Sequence, residues 1–446
     1  MQQKVLAREN LVDRYVKAHP GAKKWHERAV TIFAGNGATH SARILDPFRP
    51  YITHAKGSRK WDIDGHEYID YCMGHGGLIL GHSHPAVVKA VQEQAAKGLH
   101  YGENSQLEVE WAELIMKMMP VAERVEFCAC GQEANLLAVI LSRVYTGRTK
   151  ILRFENNYHG WGGEVGPNDA AGIYQPAVTI LPMNDIEKVE KALATREYAI
   201  CFVEGGGASM AGQIPWDWNC VREMAALCKK YGTVFNIDEV VTGFRESRGG
   251  WQEVLGVQPD MTTLGKCVSG GIPSGVVVGR ADIMDAFNPK RPLNQRVVHH
   301  GTWNANPLQS AAGVAACKEY LSGEPQKRAL EMATYLRDKG NAVLKEKGIS
   351  GRLYGRTIVH LYLGPIDYEP QEIYLPPTKD IKKILNPASS AIKLKLCLAL
   401  LQRGVATMGG RFFVMTAAHS KADIDQTMEA FSGALDDLLA EGILKK

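Results

Sequence analysis

The chain of 446 residues is 45% hydrophobic and 22% charged, and its formal net charge of +4 is spread along the sequence. This length favours two or three domains, and the spread charge gives no support to a nucleic-acid-binding surface. No apolar run reaches the roughly 18 residues of a membrane span, and the start MQQKVLARENLVDRYVKAH lacks the apolar core of a signal peptide. We therefore expect a globular cytoplasmic protein.

The predicted elements begin with a strand meander and continue as alternating strands and helices. The meander is ITHAKGSRKWDIDGHEYIDY, in which Asp64-Gly65 supplies a turn. From about residue 85 to residue 320, short apolar runs alternate with helix-period segments, which predicts a mostly parallel sheet between helices. The predicted strands are Val125–Ala129, Ile151–Phe154, Ile200–Glu204, Val234–Ile237, Met261–Leu264 and Gly275–Gly279. The predicted helices are Gln132–Tyr145, Ile186–Ala194, Trp218–Tyr231, Gln326–Lys347 and Ala422–Leu439.

Nine cysteines occur, an odd number, and most lie inside apolar runs. We interpret them as reduced, small hydrophobic residues. Cys128 and Cys130 form a CxC pair, but no further Cys or His with metal-ligand spacing accompanies them. We therefore predict no metal site.

Two predicted strand ends carry the residues most indicative of chemistry. The apolar run before Asp238 ends in that carboxylate, and the run Met261–Leu264 ends at Gly265-Lys266 before a Ser-Gly-Gly turn. Sites in open α/β sheets collect where strands end. A carboxylate and an amine placed there suit a pyridoxal-phosphate enzyme, in which the amine forms an imine with the cofactor aldehyde and the carboxylate keeps the pyridine nitrogen protonated. Taken singly, Asp238 also reads as a helix cap, and Lys266 as a solvated loop residue.

A strand, a turn and a helix follow one another in VEFCACGQEANLLAVILSRV. Gly131 at the turn allows close backbone approach, and the start of a helix offers free amide donors to a phosphate. On its own, this segment also describes a tight strand-to-helix turn that binds no ligand.

The segment DEVVTGFRESRGGWQEVLGVQPDMTTLGKCVSGGIPSG resembles the signature of the class III aminotransferases, pyridoxal-phosphate enzymes of fold type I. Within that class the chain is most similar to the glutamate-1-semialdehyde aminomutase branch, which also contains D-phenylglycine aminotransferase. The similarity runs from about Gly35 to Asp425. It implies an α/β fold with a large domain, whose mostly parallel seven-stranded sheet lies between helices, and a smaller α+β domain built from both termini.

The resemblance divides the chain into three segments. Residues 1–75 form the N-terminal segment and part of the small domain, residues 76–325 form the large cofactor-binding domain, and residues 326–446 form the C-terminal small domain. Four prolines between Pro365 and Pro377 mark a long irregular loop, for which a lid and a surface excursion are both open interpretations.

The cofactor implied by the resemblance is pyridoxal 5′-phosphate. Lys266 is then the imine lysine and general base, and Asp238 is the partner of the pyridine nitrogen. Tyr158, in a Tyr-His-Gly motif, lies over the ring, and Val240 closes the opposite face. Core packing is the alternative for Tyr158, and His159 beside it also reads as a structural hydrogen-bonding residue.

The phosphate-binding residues depart from the family pattern. The usual Ser-Gly-Thr here reads Cys130-Gly131-Gln132, which keeps the backbone donors and loses the hydroxyls, although the Gln132 amide can donate. Thr302, in HHGTWNANP, matches a threonine that reaches the phosphate of the neighbouring subunit, which implies a homodimer with shared active sites. The alternative is a loop threonine before a helix. Ser209 lies near a position that contacts the cofactor 3′-oxygen in relatives.

The carboxylate of an amino-acid substrate requires a cation, best a planar guanidinium. Arg43, in GATHSAR, aligns with an arginine of this branch that has this role. Arg411, in MGGRFFV, matches a region of the D-phenylglycine enzyme and is the second candidate. Each also reads as a surface arginine.

The reaction predicted from these similarities is transfer of an amino group between an amino acid or amine and an oxo acid, both small molecules. The alternative is a glutamate-1-semialdehyde-type 2,1-aminomutase. The segment between Gly160 and Leu181 looks shorter than the gating loop of the mutase, and MGGRF replaces its AFEAG-like stretch, so both departures favour transamination. A non-catalytic binding protein on the same fold is less favoured, because Lys266 and Asp238 are both present.

Overall fold

The computed structural model describes residues 9–167 and 170–445, so residues 1–8 of the predicted N-terminal segment and residue 446 of the C-terminal one lie outside the described residues. The chain divides into two compact units. Unit 1 comprises the described parts of Met1–His75 and Glu331–Lys446, together with Gly81–Ser83. Unit 2 comprises Gly76–Leu80 and the described part of His84–Leu330.

A seven-stranded sheet forms the centre of unit 2 and confirms the predicted α/β fold. In order across the sheet, the strands are Arg124–Cys128, Gly275–Gly279, Met261–Gly265, Val234–Glu239, Tyr198–Glu204, Lys150–Phe154 and Val178–Leu181. Gly275–Gly279 runs antiparallel to both of its neighbours, and the other pairs are parallel. The central strands are buried along their whole length, which explains their continuous apolar runs.

The edge strand Val178–Leu181 was not predicted from the residue pattern, and only the family resemblance implied a seventh strand. It is four residues long and half-buried throughout, so it shows neither the two-residue alternation nor the long apolar run of a strand. The six strands predicted from the pattern all form, with their ends within two residues of the predicted positions.

Helices connect and cover these strands. The α-helices of unit 2 are Pro85–Ala95, Gln106–Met118, Gly131–Thr146, Ile186–Leu193, Trp218–Tyr231, Gly250–Leu255, Ala281–Met284 and Pro307–Tyr320. Short 3₁₀ turns occur at Gly163–Val165, Lys266–Ser269, Asp285–Phe287 and Leu293–Gln295, and Gly207–Ala208 pairs with Ile214–Pro215. Asn306 illustrates how the sequence starts a helix: its side chain accepts from the Gln309 N–H at 3.1 Å, and Pro307 occupies the first turn.

Unit 1 contains two small sheets and helices from both ends of the chain. The predicted meander forms from Ile52–Lys56, Arg59–Asp62 and Glu67–Asp70, and Val405–Ala406 joins it in parallel. The second sheet is antiparallel and consists of Gly351–Tyr354, Ile358–Leu363 and Phe412–Val414. The α-helices that lie wholly in unit 1 are Leu11–Ala18, Pro20–Ile32, Ile381–Ile384, Pro387–Leu401 and Lys421–Ala440, and a 3₁₀ turn occurs at Ser41–Arg43. The helix Glu324–Glu346 begins in unit 2 and belongs to unit 1 from Glu331 onward.

One stretch of the described chain, Ile381–Leu401, is long and apolar enough to pass a composition test for a membrane span. Half of that stretch is buried inside the protein. The residues from Leu396 to Leu401 belong to the hydrophobic core of unit 1, where they pack with Phe413 and Phe431. Burial on this scale is typical of a core helix.

Gly275 begins the antiparallel strand where another chain segment passes very close. A Cβ atom at Gly275 would lie 2.1 Å from the carbonyl oxygen of Cys130, a backbone atom that cannot rotate away. We expect Gly275→Ala to lower the free energy of unfolding by about 2–4 kcal/mol, measured by urea denaturation.

The matched control for this substitution is Gly147→Ala at the end of the helix Gly131–Thr146. Gly147 has a φ of 68°, and nothing lies within 4 Å of the Cβ position. Only left-handed backbone strain remains there, at a cost of about 1 kcal/mol. Equal losses in the two variants would contradict the steric explanation for Gly275.

Candidate active site

Asp238 lies near the C-terminal end of the central strand Val234–Glu239, and its buried carboxylate accepts three hydrogen bonds. Oδ2 accepts from Nδ2 of Asn135 at 2.8 Å and from Nδ1 of His159 at 2.7 Å. Oδ1 accepts from the backbone N–H of Val240 at 3.0 Å. Two of the three donors come from distant parts of the chain, so Asp238 is held by tertiary structure and is more than a local cap.

Two members of this network, Asn135 and Thr263, were missed in the sequence. Asn135 also donates to the carbonyl of His159 at 2.7 Å, and its Oδ1 accepts from Thr263 Oγ1 at 2.5 Å. Thr263 stands opposite Asp238 in the neighbouring parallel strand. Burial lowers the pKa of His159, which favours the neutral ring whose Nδ1–H donates to the carboxylate. The available signal was a single amide within the apolar helical run ANLLAVIL, since buried amides need partners.

Lys266 follows the strand Met261–Gly265 and begins a 3₁₀ turn with a left-handed backbone, at a φ of 47°. Such a conformation is uncommon for residues other than glycine and is concentrated at functional sites. Burial lowers the pKa of the Lys266 ammonium, and the negative charges of Asp238 and Glu204 oppose this effect. Across residues 9–167 and 170–445, the structure shows no hydrogen bond or ion pair to its Nζ. A half-buried amine with a lowered pKa is a reactive form of lysine.

The helix that begins at Gly131 presents hydrogen-bond donors beside these groups. Gly131 packs so closely that a Cβ atom there would lie 2.8 Å from both methyl groups of Val240. Cys130 precedes the helix and makes no side-chain cap. Gln132 Oε1 accepts from the Trp161 N–H at 2.7 Å, which directs the amide Nε2 away from that contact as a further donor. Uncapped N–H groups at a helix start are an anion-binding arrangement.

Tyr158 has a side chain that is 57% exposed, so the alternative of core packing is wrong. Its backbone N–H donates to Oε2 of Glu204 at 2.8 Å. The backbone N–H groups of Ser209 and Met210 also donate to Glu204, at 3.3 and 3.1 Å. Burial nevertheless raises the pKa of Glu204 to about 8. Ser209 thus contributes a backbone donor to a buried carboxyl group.

The structure brings most of the predicted cofactor residues together in unit 2. Gly131 packs against Val240, and the Val240 N–H donates to Asp238. The charge of Asp238 acts on Tyr158 and on Lys266, and Gln132 follows Gly131 in the helix. Thr302 lies on an exposed loop of the same unit, where its carbonyl accepts a hydrogen bond from His100 Nε2.

The two predicted substrate arginines belong to unit 1. Arg43 is exposed at the end of the turn Ser41–Arg43. Arg411 is half-buried, and both burial and the neighbouring charge of Arg49 lower its pKa. Its guanidinium carbon lies 5.4 Å from the centre of the Phe412 ring.

The chemistry of these donor and acceptor groups fits pyridoxal 5′-phosphate. Asp238 offers an anion to a pyridine nitrogen, Lys266 offers an amine to an aldehyde, and the helix start at Gly131 offers donors to a phosphate. Glycine allows close packing beside these groups, because a Cβ atom on Gly265 would lie 3.1 Å from Cγ1 of Val240. The turn predicted to bind the phosphate has no hydroxyl group at positions 130 and 132, so the donors it can offer are amides.

Comparison with known proteins identifies a family with these features. The family profile described as Aminotransferase class-III matches residues 41–435. Glutamate-1-semialdehyde 2,1-aminomutase from Methanopyrus kandleri is 31% identical in an alignment of 446 positions, and this alignment covers 95% of this chain and 99% of the relative. Among solved structures, an omega-transaminase from Sphaerobacter thermophilus has a TM-score of 0.85 at 29% identity, covering 95% of this chain and 99% of its own. A β-phenylalanine aminotransferase from Variovorax paradoxus has a TM-score of 0.85 at 27% identity, covering 96% and 97%.

Proposed function

We propose that this chain, which belongs to the class III aminotransferase family and uses pyridoxal 5′-phosphate, transfers an amino group between an amino acid or amine and an oxo acid. One observation supports this most: the Asp238 carboxylate and the Lys266 amine stand at the ends of adjacent parallel strands. Burial lowers the pKa of the Lys266 amine, and the negative charge of Asp238 opposes that lowering without reversing it.

The bound cofactor supplies an aldehyde that links to amines and a protonated ring that accepts electrons from the substrate Cα. We assign the movement of the proton to Lys266, whose Nζ would accept it from the substrate Cα and later release it. Burial lowers the pKa of this amine, so a larger fraction is uncharged and able to accept a proton at neutral pH.

Asp238 has a different role from Lys266, which is to keep the ring nitrogen of the cofactor protonated. A fixed anion beside a pyridinium raises the pKa of the ring nitrogen by opposite-charge attraction. Asn135, His159 and Val240 donate to the carboxylate and keep it in one orientation. Tyr158 and Val240 are proposed to face the two sides of the ring, and Arg43 and Arg411 to receive the substrate carboxylate.

Isomerisation by a 2,1-aminomutase is the second candidate, because the curated relative from Methanopyrus kandleri bears that name. The two reactions require the same lysine and aspartate. The names of the structural relatives from Sphaerobacter thermophilus and Variovorax paradoxus support amino transfer. The MGGRF segment and the short stretch after Gly160 support it as well.

Single half-reactions with amino donors distinguish the two candidates. We expect the holoenzyme, mixed with a panel of α- and β-amino acids, to release about one equivalent of oxo acid per active site from at least one donor and to keep the amino group on the cofactor. Chromatography measures the oxo acid that is released, and the absorption spectrum of the cofactor shows whether it has kept the amino group. Isomerisation of glutamate-1-semialdehyde, with no oxo acid released from any amino acid, would establish the mutase instead.

We further propose a homodimer in which Thr302 serves the site of the partner subunit. Thr302 is exposed, and the large apolar side chains Trp303 and Trp161 are 60% and 74% exposed. Exposed aromatic residues near a site are typical of interfaces. A cytoplasmic location is proposed because all nine cysteines are free thiols.

A further inference from the structure

Unit 1 contains a cavity of about 560 Å³ whose walls combine cations with apolar side chains. Arg43, Arg49 and Lys60 line it, and among the described residues Asp70 is its one acidic lining residue. Apolar side chains line the remainder, including Ile44, Leu45, Phe48, Tyr51, Leu401 and Met408. The cavity therefore carries more positive than negative charge on otherwise apolar walls.

The single acid of this cavity is already engaged and does not neutralise the arginines. Asp70 Oδ1 accepts from Lys60 Nζ at 2.8 Å and from the backbone N–H of Cys72 at 2.9 Å. Its Oδ2 accepts from His82 Nε2 at 2.7 Å. Lys60 is thus paired within the protein, whereas Arg49 and Arg43 form no ion pair with any described residue.

Arg49 is the less exposed of these two arginines. Its Nη2 donates to the carbonyl of Ala42 at 3.4 Å, near the limit of a hydrogen bond. Its Nε is buried and has no hydrogen-bond partner among the described residues. No ion pair to Arg49 occurs in the described part of the chain. Buried donors without acceptors are costly unless a ligand supplies the acceptor.

Two further cations of unit 1, Lys393 and Arg411, add to the positive charge around Arg49. Burial lowers the pKa of Lys393 to about 8, and the charge of Arg411 adds to that effect. The pKa of Arg411 is lowered first by burial and then by the charge of Arg49. No carboxylate within residues 9–167 and 170–445 forms an ion pair with Lys393 or Arg411, whereas the neighbouring Lys395 pairs with Asp46 at 3.6 Å.

We propose that this cavity binds the carboxylate of an acid whose remaining part is apolar, an aryl or alkyl carboxylate, and that the half-buried Arg49 is the cation that receives it. A guanidinium matches a carboxylate in plane and in donor number. The apolar walls bury the rest of the ligand, as in most small-molecule sites. If Arg43 also binds substrate, which rests on the proposed function, the ligand is the amino acid or oxo acid substrate and its side chain is apolar.

The test measures binding to the holoenzyme by titration calorimetry, with ligands that lack an amino group and do not react. The probes are 3-phenylpropionate, the uncharged 3-phenylpropanamide, and acetate, which has no apolar part. We expect 3-phenylpropionate to bind about tenfold or more tightly than either of the others. Arg49→Met should weaken binding of 3-phenylpropionate by about tenfold or more and leave the amide unchanged. Lys395→Met is the control, because it removes a cation of the same unit that already pairs with Asp46. This variant should bind the three probes with the same affinities as the unmodified enzyme.

Two results would overturn the proposal: equal affinity of the unmodified enzyme for the acid and its amide, or unchanged affinity for the acid in Arg49→Met. The first needs no variant, so it decides the matter even if Arg49→Met does not fold. The same protein samples should be mixed with amino donors. Loss of carboxylate binding with normal half-reactions would reject only this inference, whereas binding without any half-reaction would reject only the proposed function.

Discussion

Replacing Lys266 by alanine is expected to abolish the absorbance of the lysine-linked cofactor and to slow amino transfer by about a thousandfold or more. The reason is that one amine serves both as the point of attachment and as the base for the substrate Cα. Among the described residues of unit 2, no other lysine follows directly on a strand that neighbours the strand of Asp238. The measurement is the absorption spectrum after reconstitution with pyridoxal 5′-phosphate, followed by stopped-flow mixing with an amino donor.

Two controls separate loss of the amine from loss of the fold. Lys318→Ala removes a lysine whose Nζ pairs with Glu110 at 2.7 Å and whose side chain is 56% exposed, and its spectrum should match that of the unmodified enzyme. Added methylamine should restore part of the proton transfer in Lys266→Ala, because a free amine can enter the space of the missing side chain. An unchanged spectrum in Lys266→Ala would refute the assignment.

Asp238→Asn is expected to retain the cofactor and to slow removal of the substrate Cα proton by about a hundredfold. An amide has nearly the shape of the carboxylate but not its charge, so the ring nitrogen loses its proton more readily. An amide oxygen in the position of Oδ2 still accepts from Asn135 and His159, but its NH₂ group then faces the Val240 N–H. One hydrogen bond is lost, and we expect a loss of about 1 kcal/mol in stability.

The rate of this step is best measured with a Cα-deuterated donor, since a primary isotope effect shows that proton removal limits the rate. Asp282→Asn is the matched control. Asp282 is half-exposed and pairs with Arg280, so its replacement should leave the rate and the cofactor spectrum unchanged. Normal turnover by Asp238→Asn would remove Asp238 from the mechanism, whatever the stability of the variant.

Local sequence was sufficient for six of the strands and for the two charged groups at their ends. Strands buried on both faces need continuous apolar residues, and a charge that interrupts such a run marks the point where the strand emerges into a site. Asp238 and Lys266 were predicted on that basis. The strand-turn-helix pattern also indicated Gly131, which packs against Val240. The family resemblance added Tyr158, Val240 and a seventh strand too short to be predicted from its own residues.

The surroundings of these groups were decided by the tertiary structure alone. Asn135 lies 103 positions before Asp238 and 128 before Thr263, yet one amide bonds to both. The partners of a buried polar atom depend on which elements pack together, and no spacing in the chain encodes that packing. The environment of Arg49 was likewise decided by packing, because its sequence neighbours did not indicate that its Nε would be buried without a partner among the described residues. Periodicity and charge along the chain therefore determined most of the elements and the candidate reactive residues, whereas the packing of distant segments determined what surrounds those residues.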